Sequence, residues 1–500
     1  AGVACYACRN TKSKSTPQRR KALRLYGGKN KNLKNSEIKQ HMKKLTNSML
    51  MLCCISFLFT GCKTKPAGPE VKANYPEWAK NAVIYEVNVR QYTPGGTFKA
   101  FEANLPRLKE LGVDILWFMP INPIGVVDRK FPAGATTSLG SYYSVKDYKG
   151  VNPEFGTEAD FKALVTKAHE MGFKVILDWV ANHSARDNKW VTEHPEWYVK
   201  DSTGKMMTPF DWTDCAKLNY ADTNMRAAMI DAMKYWVINC DIDGFRCDVA
   251  GEVPVDFWEN ARVQIEKVKP MFMLAENEDH PELCNKAFDM NYGWGMHHVM
   301  HQVAQGKDSV NKIAAQVMKV DSILPKYAFQ MNFITNHDEN SWNGTAQEKF
   351  GAGENAFAVL TYTLPGMPLI YSGQEAGLNH RLKFFTKDTI DWKVADFSPF
   401  YKKLNALKHS NEALWNAPYG GTFAQVKNTE PAKVMSFIRE KGDAKVLVVL
   451  NLSATPVSVA VKGDIVNGTY TDVFTGNETK IQKKEPFTLE AWGYKVLEAK

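Results

Sequence analysis

The stretch GFRCDVAGE, residues 244–252, sets Arg246 and Asp248 two positions apart inside an otherwise apolar run. On an extended strand, side chains at i and i+2 share a face, so the two opposite charges stand side by side. An isolated carboxylate buried there would be costly. A guanidinium beside it favours the charged form and is expected to lower its pKa.

Reading outward, seven more short apolar runs share this strand character: AVIYEVNV, DILWFMPI, FKVILDWVAN, MFMLAENE, AFDMNY, FQMNFITN and MPLIYSG, spread from residue 82 to 373. Amphipathic segments such as TEADFKALVTKAHEMG and NMRAAMIDAMKYWVINC lie between them. Strands alternating with helices over about 300 residues point to a parallel α/β architecture, and eight of them to a closed (β/α)8 barrel rather than an open sheet. Counting alone does not separate the two. One connection breaks the rhythm: residues 184–222, after the third strand, carry turn residues and aromatics without a clear helix. A loop this long is usually functional. A last helix precedes residues 415–500, whose alternating runs and turns predict an antiparallel β-sandwich. The barrel is expected over 79–414.

Charge excludes one class of partner. Of 63 Lys/Arg and 54 Asp/Glu, residues 1–62 hold 13 and one, leaving 50 basic against 53 acidic residues in the rest. The formal charge of +9 belongs to the leader, so nucleic-acid binding has little support. Within that leader, Met42-Lys43-Lys44 precedes an apolar stretch, LTNSMLMLCCISFLF, too short to span a membrane comfortably, and then Thr60-Gly61-Cys62. The order resembles a bacterial lipoprotein signal with FTGC as its lipobox. The resemblance implies an upstream extension at 1–41, a signal peptide at 42–61, lipid on Cys62, a tether over 62–78 and a membrane-anchored place in the cell envelope. Four of the nine cysteines, Cys215, Cys240, Cys247 and Cys284, lie beyond the leader without metal-ligand or disulfide-framework spacing.

Four strands end in groups expensive to bury: Asp178, Asn182 and His183 in DWVANH; Arg246 and Asp248; Glu276 and Glu278 in LAENE; His337 and Asp338 in ITNHDEN. In a parallel barrel these ends face one rim, so residues distant in sequence converge there. A carboxylate held ionised and a second carboxyl kept protonated in a drier place are the equipment of glycoside hydrolysis. With the four motifs in this order, the chain from about residue 80 to 500 resembles the α-amylase family of glycoside hydrolases, family thirteen. The resemblance implies a retaining enzyme acting on α-glucans or maltooligosaccharides, with Asp248 as nucleophile, Glu276 as acid then base, and Asp338 as the third carboxylate. It implies that Arg246 orients Asp248, that His183 and His337 bond the sugar, that Tyr143 of GSYYSVKDY stacks on it, and that Asp178 supports the site. A transglycosylase or isomerase of the same family, or a barrel that only binds glucans, would share these features. Val249, after the nucleophile, leans within the family towards α-1,6 bonds or short oligosaccharides.

Three features stand apart. Many family members bind a structural calcium through the residue matching Asn182 and its surroundings, including a His four residues past the nucleophile. That position is Glu252 here and the third-strand loop is brief, so calcium is doubtful and no cofactor is expected to be required. His297, His298 and His301 in HHVMH have a zinc-like i, i+4 spacing but no third ligand, and read as a solvated helix face rather than a metal site. Glu278 and Glu375 read as loop or salt-bridge residues.

Overall fold

The computed structural model describes residues 74–500. Eight parallel strands close into a barrel: β1 (Ile84–Val87), β2 (Ile115–Phe118), β3 (Lys174–Trp179), β4 (Gly244–Cys247), β5 (Phe272–Ala275), β6 (Met290–Tyr292), β7 (Phe329–Asn332) and β8 (Met367–Tyr371). Each pairs with its sequence neighbours and β1 closes on β8, in register Ile84 to Leu369. Every apolar run read from the sequence therefore became a barrel strand.

The two-residue period sorts each strand between two cores. Ile84, Ile115, Ile176, Phe272, Met290, Phe329 and Met367 fill the barrel interior. Tyr85, Leu116, Val175, Phe245 and Met273 point outward to pack under the helices. The strands tilt and crowd at one point: a Cβ on Gly244 would lie 2.0 Å from the Phe272 carbonyl oxygen, so only glycine fits there. One period further along, the inward positions become Glu86, Trp117, Asp178 and Arg246, and beyond the ends of β4 and β5 come Asp248 and Glu276. A polar layer thus sits directly on an apolar one.

Three expectations change. The tether read over 62–78 ends before Tyr75, which is buried and meets Phe272 and Phe329 edge-on at 6.4 and 5.3 Å, followed by a 3-10 turn at Glu77–Ala79. Residues 75–78 therefore cover the barrel floor, because the apolar layer there needs a lid. The excursion at 184–222 is more ordered than a loop: His183–Ala185 pairs with Cys215–Lys217 as an antiparallel ribbon, and a one-turn helix, Lys189–Glu193, lies between. A second long excursion, residues 119–157, follows β2 and was not anticipated. Its turn-rich sequence lacks any periodic signal.

The HHVMH segment lies in the helix Trp294–Ala304, but His297 is buried, stacked on Phe333 with centroids 5.0 Å apart. The solvated reading holds for His298 and fails for His297, because the 3.6-residue period turns His297 onto the Met296 and Met300 side. Among the described residues no cluster of three His, Cys, Asp or Glu could hold a metal ion, and no helix is long and apolar enough to cross a membrane. The C-terminal region forms a six-stranded and a three-stranded antiparallel sheet around an apolar core that includes Val449, Val459 and Leu497. Arg439 fixes it to the barrel by donating to the Thr363 carbonyl at 3.0 Å. Cys62, the signal segment and most of the tether lie outside the described residues.

Candidate active site

At the carboxyl ends of the strands, one side chain organises the rest. Arg246 is fully buried, and its Nη1 lies 2.8 Å from Asp178 Oδ1 and 3.0 Å from Asp248 Oδ1. Nη2 lies 3.0 Å from Glu276 Oε1, and Nε donates to the Tyr292 hydroxyl at 3.1 Å. The rings of Trp117, Tyr143 and Tyr292 flank the guanidinium at 5.3 to 5.7 Å. The structure thus brings Asp178, Arg246, Asp248 and Glu276 together from three consecutive strands.

One guanidinium cannot offset three carboxylates. Burial and the neighbouring Glu276 charge push the Asp248 carboxyl well up, against the pull of Arg246. Burial likewise lifts Asp178 to about 6 despite Arg246 and His337. Arg246 pulls the Asp248 pKa down as expected, but burial and Glu276 outweigh that pull.

Glu276 has a second anchor. Its Oε2 accepts the Val249 amide at 2.7 Å. Val249 adopts a left-handed backbone, φ +37°, a conformation that costs a β-branched residue on the order of 1–3 kcal/mol. The chain turns this sharply as it leaves β4, and the turn aims an amide at the carboxyl on the next strand.

On the opposite wall, His337 is buried between Glu86 and the cleft. Its Nδ1 lies 2.5 Å from Glu86 Oε1; its Nε2 lies 2.7 Å from the Tyr143 hydroxyl and 3.4 Å from Asp338 Oδ2. Burial opposes its charge, but Asp338 and Glu86 outweigh burial and raise it to about 9. Asp338 is the most open of the three acids, with 34% of its side chain exposed. Tyr143 also donates to Asp178 Oδ2 at 3.1 Å, which ties the two walls together. The adjacent Tyr142 points elsewhere, to Asn88 Oδ1, under the Arg90 guanidinium.

His183 stands apart from the Arg246 cluster. It begins the ribbon after β3, is fully buried, and packs at 5.1 Å from the Trp212 ring. Burial draws it down to about 3, against the Tyr143 carbonyl, so it stays neutral. Glu278 accepts from the Gln316 amide at 3.2 Å, and Glu375 pairs with Arg107 at 2.8 Å. Neither joins the site.

Sequence reading missed Glu86, Trp117 and Tyr292. Glu86 left a signal, as the one charge inside the apolar run AVIYEVNV; the two aromatics left none.

A closed parallel barrel whose strand ends gather paired carboxyls around a buried cation is a glycosidase-type scaffold. Residues 63–214 and 192–427 match the family model described as alpha amylase, catalytic domain, and 423–496 match that of the maltogenic amylase C-terminal domain. The chain belongs to the α-amylase family. The alpha-amylase MalA of Haloarcula japonica is 29% identical over 435 residues, covering 81% of this chain and 62% of its own length. The chain thus spans a little under two thirds of that relative. Crystal structures of a maltogenic alpha-amylase, AmyB, from Thermotoga neapolitana and of an alpha-amylase from Lactobacillus plantarum superpose with TM-scores of 0.76 and 0.74 at 30% and 32% identity. They cover 84% of this chain and 98% and 99% of their own.

The Glu86–His337 pair has a testable sign. A His pKa raised above its ordinary 6.5 favours the fold in full below pH 6.5, and that contribution fades as pH rises through about 9. Glu86→Gln keeps a hydrogen-bond acceptor but removes a charge, so the imidazolium loses its proton earlier. The fall of the melting temperature with rising pH should set in about one pH unit lower in the variant. An unmoved onset would show that Glu86 does not set the charge of His337.

Proposed function

We propose that the chain is a retaining hydrolase of α-glucans or maltooligosaccharides. The observation that carries this reading is that Asp248 and Glu276, from neighbouring strands, share one buried guanidinium at 3.0 Å each, with Asp338 at the open edge. With Glu276 carrying a proton and Asp248 ionised, the pair is in its reactive arrangement. Asp248 attacks the anomeric carbon while Glu276 gives its proton to the departing sugar oxygen, leaving a β-glycosyl-enzyme. Glu276, now a carboxylate, takes a proton from water as the water displaces Asp248, which regenerates the α-configured product and the starting charges.

Around this step, Arg246 orients Asp248 and lowers the cost of its charge. Tyr143, held by Asp178 and His337, offers its ring to the glucose. Protonated His337 and neutral His183 are hydrogen-bonding groups for sugar hydroxyls, and Asp338 accepts from the hydroxyls of the distorted ring. Transfer of the glycosyl group to a sugar in place of water would use the same carboxyls.

The reading extends to metal and location. The Lys217 ammonium lies 3.4 Å from Glu252 and supplies the positive charge there, and the Asn182 side chain is engaged with the His183 ring at 3.3 Å. That donor set does not suit a calcium ion, and none is assigned a part in the mechanism. Thiol-linked lipid on Cys62 would hold the enzyme at the cell envelope.

Three measurements test this reading. Asp248→Asn should lower release of reducing ends from maltoheptaose by at least about a thousandfold; a variant that keeps its rate would remove Asp248 from the chemistry. A chelator should leave the melting temperature unchanged, whereas a drop of several degrees would place a structural metal in the fold. Metabolic labelling with a lipid probe should mark the wild type and not Cys62→Ala; equal labelling of both would refute lipidation at that thiol.

A further inference from the structure

The buried groups behind Asp338 take no part in the chemistry described so far. Asp338 stands at the start of a single π-helical turn, Glu339–Asn343, which the Gly344 amide closes by donating to the Glu339 carbonyl at 2.9 Å. Turns of this kind are rare overall and frequent at functional sites. What holds this one is its first residue.

Glu339 follows directly on an acid that the site uses, yet it faces away from the cleft. Asp338 keeps 34% of its side chain exposed, whereas Glu339 keeps 5%. Oε2 of Glu339 pairs with the ammonium of Lys349, itself almost fully buried, and Oε1 accepts from the Asn343 side-chain amide at 2.9 Å. Lys349 comes from the short helix Ala346–Phe350 that follows the turn. The Glu339 amide donates to Asn336 Oδ1 at 2.8 Å, so both the backbone and the side chain of this residue are fixed. A carboxylate and an ammonium buried this deeply depend on each other, because removing one leaves the other uncompensated.

The same wall takes in His297. Its Nε2 donates to the Ile334 carbonyl at 3.2 Å and lies 3.8 Å from Glu339 Oε2, while its ring stacks on Phe333. A carbonyl can only accept, so Nε2 carries the ring proton. The chain leaving β7 is thus held at Ile334 and again at Glu339, with His337 and Asp338 in the stretch between. On the other side Asn340 binds the loop after β8, donating to the His380 carbonyl at 3.2 Å and accepting the Leu382 amide at 2.9 Å.

We propose that Glu339 is a positioning residue for Asp338: its buried pair with Lys349 holds the turn that sets the Asp338 carboxylate at the edge of the cleft. The inference rests on the proposed function, in which Asp338 accepts from hydroxyls of the distorted sugar ring, and adds to it the group that keeps this acid in place. Buried as they are, Glu339 and Lys349 act on the reaction only through Asp338. A distorted ring is met in the transition state, so their effect falls on kcat rather than on KM.

The test is a double-mutant cycle in the full chain. Glu339→Gln keeps an acceptor for Asn343 but removes the charge that pairs with Lys349; it should lower kcat for maltoheptaose about tenfold while KM changes less than about twofold. In an Asp338→Asn background the same substitution should lower the residual kcat by less than about twofold, since the acid it positions is already gone. An unchanged kcat in the first case, or an equal loss in both backgrounds, overturns the proposal. Glu339→Gln alone strands a buried ammonium and should melt below the wild type, so Glu339→Gln combined with Lys349→Met, which leaves no uncompensated charge, separates folding from positioning. The combination should recover the melting temperature and not kcat; recovery of both would show that the pair serves stability alone. A crystal structure of the combined variant should show the 338–343 turn rewound and the Asp338 carboxyl displaced by about 1 Å or more. An unmoved carboxyl overturns the proposal. A wild type that releases no reducing ends from maltoheptaose refutes the hydrolase reading, and the displacement in the combined variant then decides the role of Glu339 by itself.

Discussion

The site depends on a single buried cation. Arg246 gives up its hydration entirely, a cost that several kcal/mol of pairing must offset. Asp178, Asp248 and Glu276 supply that pairing, Tyr292 accepts from Nε, and three aromatic rings close over the guanidinium faces. The excess of carboxyls over cations is what gives the site its chemistry.

The second pair, Glu86 with His337, again sets more than one carboxyl against a single cation. There the carboxylates outnumber the imidazole, so the ring is kept charged and becomes a fixed donor towards the cleft. Tyr143 joins the two charged groups through Asp178 on one side and His337 on the other. The polar layer is consequently a single network. An apolar layer, floored by Tyr75, lies under it; burial moves Asp178, Asp248 and His183 from their ordinary pKa values, and Asp338 and Glu86 move His337 against burial.

Burial and exposure divide the labour along the cleft. The centre holds buried charges, while the loops after β2 and β3 expose Val126, Val127, Phe131, Met207 and Phe210 to solvent. The strained backbones at Val249 and Phe210 mark the two zones: one aims an amide at Glu276, the other presents a ring.

The sequence by itself determined which segments are strands, since they are short continuous apolar runs set between amphipathic segments, and it determined that Asp248 and Arg246 share a face, since Asp248 follows directly on the strand that carries Arg246. It also marked the acids at the strand ends, because buried charge is rare enough to be noticed. Only the tertiary structure decided that Glu86 belongs with His337, that Trp117 and Tyr292 flank Arg246, that His297 is buried and that Tyr143 rather than Tyr142 meets Asp178. Each of those facts joins residues from different strands or loops. Local spacing fixes the direction of a side chain only along its own element, whereas closure of the barrel, set by the packing of all eight strands at once, fixes what that side chain meets.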